Sequence, residues 1–180
     1  ADLTAVNTAV MCFLLFAASP LTLSELRSML PPGFSADLAS STDQAILRSL
    51  LPAARTGVRL LAGACSCDLV LARSASREDE RELRRRFFAA GMSRGQVIAA
   101  LETHRKGGGG FATPADARAA LAGFVAEHAR NAGPTLYLLR FGTGPLDQRL
   151  PGDPVRLSLR DVLANVDGWL REDQPVIVEP

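Results

Sequence analysis

The sequence is poor in several residue types on which specialised proteins depend. Its 180 residues include three cysteines, two histidines, one tryptophan and one tyrosine, and Lys106 is the only lysine. Aromatic residues make up 6%, too few for the stacking platforms that bind single-stranded nucleic acid. Three cysteines cannot form a disulfide framework, and an odd number leaves one thiol unpaired in an oxidising compartment. We therefore expect reduced thiols and a cytoplasmic protein.

Charge of either sign is also not in excess. Charged residues make up 22% and the formal net charge is +1, so no global field attracts nucleic acid or an acidic membrane. The preference for arginine over lysine, together with abundant Ala, Leu, Gly and Pro, is typical of a GC-rich bacterial genome. The expected partner is therefore an unknown protein or small molecule, with no nucleic acid and no membrane, and a homo-oligomer stays open.

Long hydrophobic runs are limited to the segment 9–18. It resembles the core of a signal peptide but lacks a positively charged region before it, and about 20 apolar residues are needed to span a bilayer. We interpret it as a buried strand, with a targeting segment as the alternative. At 47% hydrophobic residues, the chain can bury a full core, and one domain over 1–180 is the default expectation.

Capping residues mark the starts of helices clearly. Thr22 and Glu25 form the sequence pattern of a capping box, and Thr113-Pro114 with Asp116 combines a cap, a proline at the first helical position and an acid in the first turn. The predicted helices cover about 22–30, 41–51, 76–90, 93–105, 113–131 and 158–166. The run 106–110, which contains four glycines, predicts a flexible connection between two of them.

Apolar runs between these helices predict the strands. They cover 6–17, 57–62, 135–141 and 176–178, with 155–159 as an edge strand and 69–71 as a continuation of the second strand or a hairpin arm. Strands interspersed with helices indicate an α/β (or α+β) fold. We expect a mixed sheet of four to five strands with five to six helices packed against it.

The tripeptide Cys65-Ser66-Cys67, followed by Asp68, is the strongest chemical feature. With Cys12 from the first strand, Cys65 and Cys67 could supply three thiolates to zinc or iron, although a closed zinc site needs a fourth ligand such as a histidine. Alternatively, one of the thiols is a redox or nucleophilic group. The third interpretation is that they are small buried residues without chemistry.

Other familiar motifs are absent or incomplete. Lys106 precedes the glycine run instead of following it, so the run is not a phosphate-binding loop, and no nucleophile elbow is visible. The charge-rich segment 77–86 predicts a solvated amphipathic helix. His104 and His128 lie near helix ends, where a structural role is the simpler interpretation. Asp167-Gly168 predicts a turn, with Trp169 as an anchor whose indole N–H needs a partner if buried.

Fold logic suggests a site that does not depend on motifs. If the first three predicted strands are parallel neighbours, their carboxyl ends bring Cys67, Asp68, Arg140 and Thr143 to one crevice, with Ser19 at the end of the first strand. An antiparallel strand would disperse them. The candidate catalytic positions are Cys65, Cys67, Asp68, Arg140 and Thr143. With no complete catalytic constellation visible in the sequence, we expect a non-enzymatic binding or interaction protein, with a thiol-dependent or metal-binding protein centred on Cys65 and Cys67 as the alternative.

Overall fold

A six-stranded mixed sheet organises the chain. The structure, a computed structural model, describes residues 12–63, 66–70, 77–106, 111–142, 146 and 151–180, and the side chains of these except 77–79 and 103–106. The strands are β1 (Cys12–Ser19), β2 (Phe34–Leu38), β3 (Thr56–Ala62), β4 (Thr135–Gly142), β5 (Val155–Ser158) and β6 (Val176–Glu179). Their order across the sheet is β2-β3-β1-β4-β6-β5.

Six α-helices accompany the sheet in this described part, which makes the fold α+β. They are α1 (Leu23–Met29), α2 (Ser41–Leu50), α3 (Arg77–Ala89), α4 (Arg94–Lys106), α5 (Pro114–Ala132) and α6 (Leu159–Ala164), with a short 3-10 helix at Ser66–Leu69. The predicted class is confirmed, and the sheet has one strand more than the upper expectation. None of the described helices combines the length and apolar character that crossing a bilayer requires.

Strand directions differ from those that the crevice hypothesis requires. β1 runs antiparallel to both of its neighbours, β3 and β4, and the only parallel pair of named strands in the described sheet is β5 with β6. The amino end of β1 therefore lies beside the carboxyl ends of β3 and β4, whereas Ser19 lies at the opposite end of the sheet.

One strand prediction was wrong, one strand was missed and one was shifted. The segment 69–71 does not continue β3, because Leu69 ends the 3-10 helix and Val70 lies in a turn. β2 was missed because only one of its side chains, Ala36, is buried, so the sequence shows no apolar run there. The first strand begins within the predicted range, at Cys12, and extends to Ser19; residues 6–11 of the prediction lie outside the described part.

The predicted helix starts are confirmed in their hydrogen bonds. The backbone N–H of Thr22 donates to Glu25 Oε2 at 2.8 Å, and the N–H of Glu25 donates back to Thr22 Oγ1 at 3.3 Å. Thr113 caps α5 by accepting from the N–H of Asp116 at 3.1 Å. The α6 helix ends at Ala164, two residues before the predicted end.

Helices lie on both faces of the sheet, mainly on one. The first face carries α1, α5, α6 and the 3-10 helix over a core that includes Phe13, Leu15, Tyr137 and Trp169. The second face carries α2, which packs against a smaller apolar cluster around Phe16. This close packing needs glycine at position 57, where an added Cβ would lie 2.9 Å from Leu47 Cδ1.

The α3 and α4 helices form a hairpin with a small core of their own. Its buried residues are Leu83, Phe87, Val97, Ala100 and Leu101. Arg86 ties the hairpin to the sheet, because its guanidinium lies over the Phe13 and Phe141 rings and pairs with Glu172 at 2.7 Å. Two i,i+4 ion pairs, Glu80 with Arg84 and Glu82 with Arg86, lie along α3, as expected for a solvated amphipathic helix.

Candidate functional site

The amino end of β1 brings two of the three cysteines to the same core. Cys67 is 5% exposed, and its sulfur accepts a hydrogen bond from the N–H of Phe13 at 3.5 Å. Cys12 is partly buried and packs against the same apolar cluster. Cys67 therefore occupies the position of a small core residue, the third of the predicted roles.

The metal hypothesis needs Cys65, which lies outside the described residues. Among the residues that are described, no group of three or more His, Cys, Asp or Glu side chains is placed to hold a metal ion. The metal site formed by Cys12, Cys65 and Cys67 therefore stays a prediction. The flexibility expected of the glycine run stays a prediction too, because residues 107–110 lie outside the described part.

The structure separates the other residues of the predicted crevice. Arg140 lies opposite Leu14 on the second face of the sheet, whereas Cys67 lies with Phe13 in the core of the first face. Asp68 is half-buried in the 3-10 helix, and Thr143 lies outside the described part. Because β1 is antiparallel to its neighbours, Ser19 lies at the far end of the sheet.

Arg140 instead fixes the position of the Leu146 backbone. Its guanidinium donates to the carbonyl of Leu146 at 3.1 Å and pairs with Asp173 at 3.2 Å. The N–H of Leu146 donates to Asp43 Oδ1 at 2.6 Å. Asp43 and Arg140 are both buried, so their charge-assisted hydrogen bonds fix the backbone of Leu146 over the second face of the sheet.

A buried polar chain crosses the core of the first face. His128, fully buried on α5, lies with Nδ1 2.6 Å from the Tyr137 hydroxyl and Nε2 2.6 Å from Ser19 Oγ. Ser19 Oγ also accepts from the N–H of Leu21 at 3.0 Å. These bonds join β1, α5 and β4. None of the three side chains that make them reaches the solvent, because each is 0% exposed. A structural role for His128, as expected, is what this geometry supports.

Burial also fixes the protonation state of the imidazole. Loss of hydration lowers the pKa of His128 from its ordinary 6.5 to about 4, and the same cause raises the pKa of Tyr137 above its ordinary value. The histidine is therefore neutral at pH 7, and one ring nitrogen donates while the other accepts.

A cleft of about 500 Å³ lies between α6, the start of β5 and β6, and the connection that follows α6. The apolar residues that line it, here called its apolar wall, are Val155, Leu157, Ala164, Trp169 and Val176. The polar ones are Asp161, Asn165, Arg171 and Gln174, and Gly168 also lines the cleft. A concave site with a mainly apolar wall and a few polar groups is the usual form of a small-molecule site.

The turn after α6 places Trp169 at this cleft. The carbonyl of Asn165 accepts from the N–H groups of Gly168 and Trp169, both at 3.1 Å. Gly168 packs so closely that an added Cβ would lie 2.6 Å from the Asn165 amide. Arg118 secures the turn from α5, because its guanidinium donates to the carbonyls of Asp167 and Leu69 at 2.5 and 2.7 Å.

Three hydrogen-bond donors at the cleft have no side-chain partner. Within the described part of the chain, the indole N–H of Trp169, the amide of Asn165 and the guanidinium of Arg171 make no hydrogen bond or ion pair. Trp169 is 5% exposed, yet its N–H is not among the fully buried polar atoms without partners, so this atom reaches the solvent. The buried tryptophan therefore offers an open donor where it lines the cleft.

The sequence pointed to parts of this cleft and not to the whole. The turn at Asp167-Gly168 and the anchoring role of Trp169 were predicted, and both are confirmed. Arg171 and Asn165 carry no sequence signal, because they become neighbours of β5 only through the turn that follows α6.

Comparisons with protein-family models, curated proteins and solved structures give no match. The protein is therefore characterised by its own structure, an α+β fold with a mixed sheet and a cleft of small-molecule size at one edge.

We expect the stability of the protein to fall as the pH decreases from about 6.5 towards 4. The unfolded state binds a proton at the ordinary pKa of 6.5 and the folded state only near pH 4, so acid favours unfolding by up to about 3 kcal/mol. The measurement is the free energy of unfolding in urea between pH 7.5 and 5, above the range in which most carboxylates titrate. His128→Gln should flatten this slope, and a slope unchanged in that variant would contradict the assignment.

We expect Cys67 to be protected from thiol reagents in the native protein. At 5% exposure its sulfur is inaccessible, so labelling requires unfolding. Mass spectrometry of the iodoacetamide-labelled protein at each cysteine measures this, with a Cys67→Ala variant to show that labelling of Cys12 is independent. Rapid native labelling of Cys67 at pH 6 would favour the thiol hypothesis over the core role.

Proposed function

We propose that the protein is a non-enzymatic binding domain that takes a small apolar molecule in the cleft beside α6. The observation that carries this proposal is the nearly buried Trp169, which lines a cleft of about 500 Å³ and leaves its indole N–H without a partner in the described chain. Because this N–H opens into the cleft and no protein group of the described chain accepts it, a ligand with an acceptor gains a hydrogen bond there.

The apolar wall supplies the driving force. Val155 is 43% exposed at the edge of the sheet, and Leu157 is half-buried beside it on the same strand. Covering such surface releases about 25 cal/mol for each Å² removed from water, before the costs of association. A preformed wall on strands and a helix also lowers the entropic cost of binding.

The alternative, a thiol-dependent or metal-binding protein centred on Cys65 and Cys67, has less support. Cys67 lies in the core, and the role of Cys65 rests on the sequence alone. A cytoplasmic location in a bacterium is likewise proposed from composition alone, and so is the absence of nucleic acid and membrane partners.

We expect Ala164→Phe to weaken binding of a neutral apolar probe by about tenfold or more, because the added ring occupies the cleft. The probe is N-phenyl-1-naphthylamine, whose emission rises in apolar surroundings. Excitation of Trp169, the only tryptophan, adds a second signal, since energy transfer to the probe requires that the two lie close together.

The matched control is Leu163→Phe, which adds a ring at the neighbouring position of α6 outside the cleft. Leu163 is 42% exposed, so this variant should bind the probe as the unmodified protein does. A probe that binds Ala164→Phe with unchanged affinity, or that does not saturate at one molecule per chain, would contradict the proposal.

A further inference from the structure

We infer that the ligand of the cleft is an apolar molecule with one carboxylate, which Arg171 pairs. This inference rests on the proposed function and specifies the chemistry that the same site selects. It follows from the hydrogen-bond donors that line the cleft and have no partner in the described part of the chain.

Three side chains of the cleft offer hydrogen-bond donors. Arg171 offers a planar guanidinium, Trp169 an indole N–H and Asn165 an amide, and none of these side chains has a partner in the described chain. Gln174 is already engaged, because its amide nitrogen donates to the carbonyls of Asp153 and Pro175 at 3.3 Å. A ligand that uses the donors of Arg171, Trp169 and Asn165 presents acceptors to them.

The charges at the cleft select an anion of low charge. Asp161, the other charged group of the wall, is occupied by the cap of α6: its Oδ2 accepts from the hydroxyl of Ser158 at 2.7 Å and from the N–H of Ser158 at 3.3 Å. Arg171 is thus the ionised group open to a ligand. A carboxylate is its best planar partner, and the nearby negative charge of Asp161 disfavours a dianion such as phosphate.

The apolar wall determines the character of the ligand apart from its carboxylate. The side chains of Leu157, Val176 and Trp169 give a surface for an aliphatic or aromatic body. Arg171 itself is exposed, so the carboxylate lies towards the solvent while the body enters the cleft. This amphipathic arrangement is that of a short fatty acid or an aromatic acid.

The test compares octanoate with octanamide, which has the same chain and a neutral amide in place of the carboxylate. Isothermal titration calorimetry on the full chain gives both affinities. We expect octanoate to bind about tenfold more tightly than octanamide, because only the acid forms the charge-assisted pair. Arg171→Gln should remove this preference by weakening octanoate binding about tenfold, with octanamide binding unchanged.

Arg160→Gln is the matched control, since Arg160 is an exposed arginine of α6 that does not line the cleft. It removes the same charge and should keep the preference for octanoate. Equal affinities for the two ligands, no octanoate binding, or equal effects of the two arginine variants would overturn the inference. Continued binding of N-phenyl-1-naphthylamine in these cases would leave the proposed function standing, whereas loss of that binding too would end both.

Discussion

The hydroxyl of Tyr137 is fully buried, and the need to satisfy it with a hydrogen bond shapes the centre of the fold. His128 on α5 forms a hydrogen bond with this hydroxyl, and its other ring nitrogen forms one with the hydroxyl of Ser19 at the end of β1. The three residues thereby fix how the longest helix of the described chain lies across the sheet. Removing one member would leave a buried polar group without a partner, at a typical cost of about 1–3 kcal/mol.

The same tyrosine connects this polar chain to the cleft. Trp169 packs edge-on against the Tyr137 ring, with 5.5 Å between ring centroids, and His128 also packs edge-on against this ring, at 5.9 Å. Arg118 holds the turn that carries the tryptophan by donating to backbone carbonyls on either side of it. The cleft wall is thus supported from the core, so its open indole N–H belongs to a rigid side chain and not to a mobile loop.

Local interactions of this protein could be predicted from the sequence, and distant ones could not. The caps at Thr22, Thr113 and Ser158 depend on residues three positions apart, and all three are found. The apolar run of β4 was equally clear, because its side chains from Thr135 to Arg140 are buried on both faces of the sheet. Strand direction carries no local signal, so the crevice that joined Cys67 to Arg140 did not form. The contact of His128 with Ser19 spans 109 positions of the chain, and the cleft depends on a similar convergence.

The most direct measurement is a ¹H–¹⁵N correlation spectrum of the labelled protein titrated with octanoate. With one tryptophan in the chain, the spectrum holds a single indole N–H peak, which reports on the cleft without further assignment. The account predicts that this peak moves, together with the amide peaks of Leu157 and Val176, while the amide of Leu138 on the second face and that of Phe88 on the α3–α4 hairpin stay in place. A stationary indole peak, with shifts centred on the hairpin or absent altogether, would show that the cleft is not the ligand site.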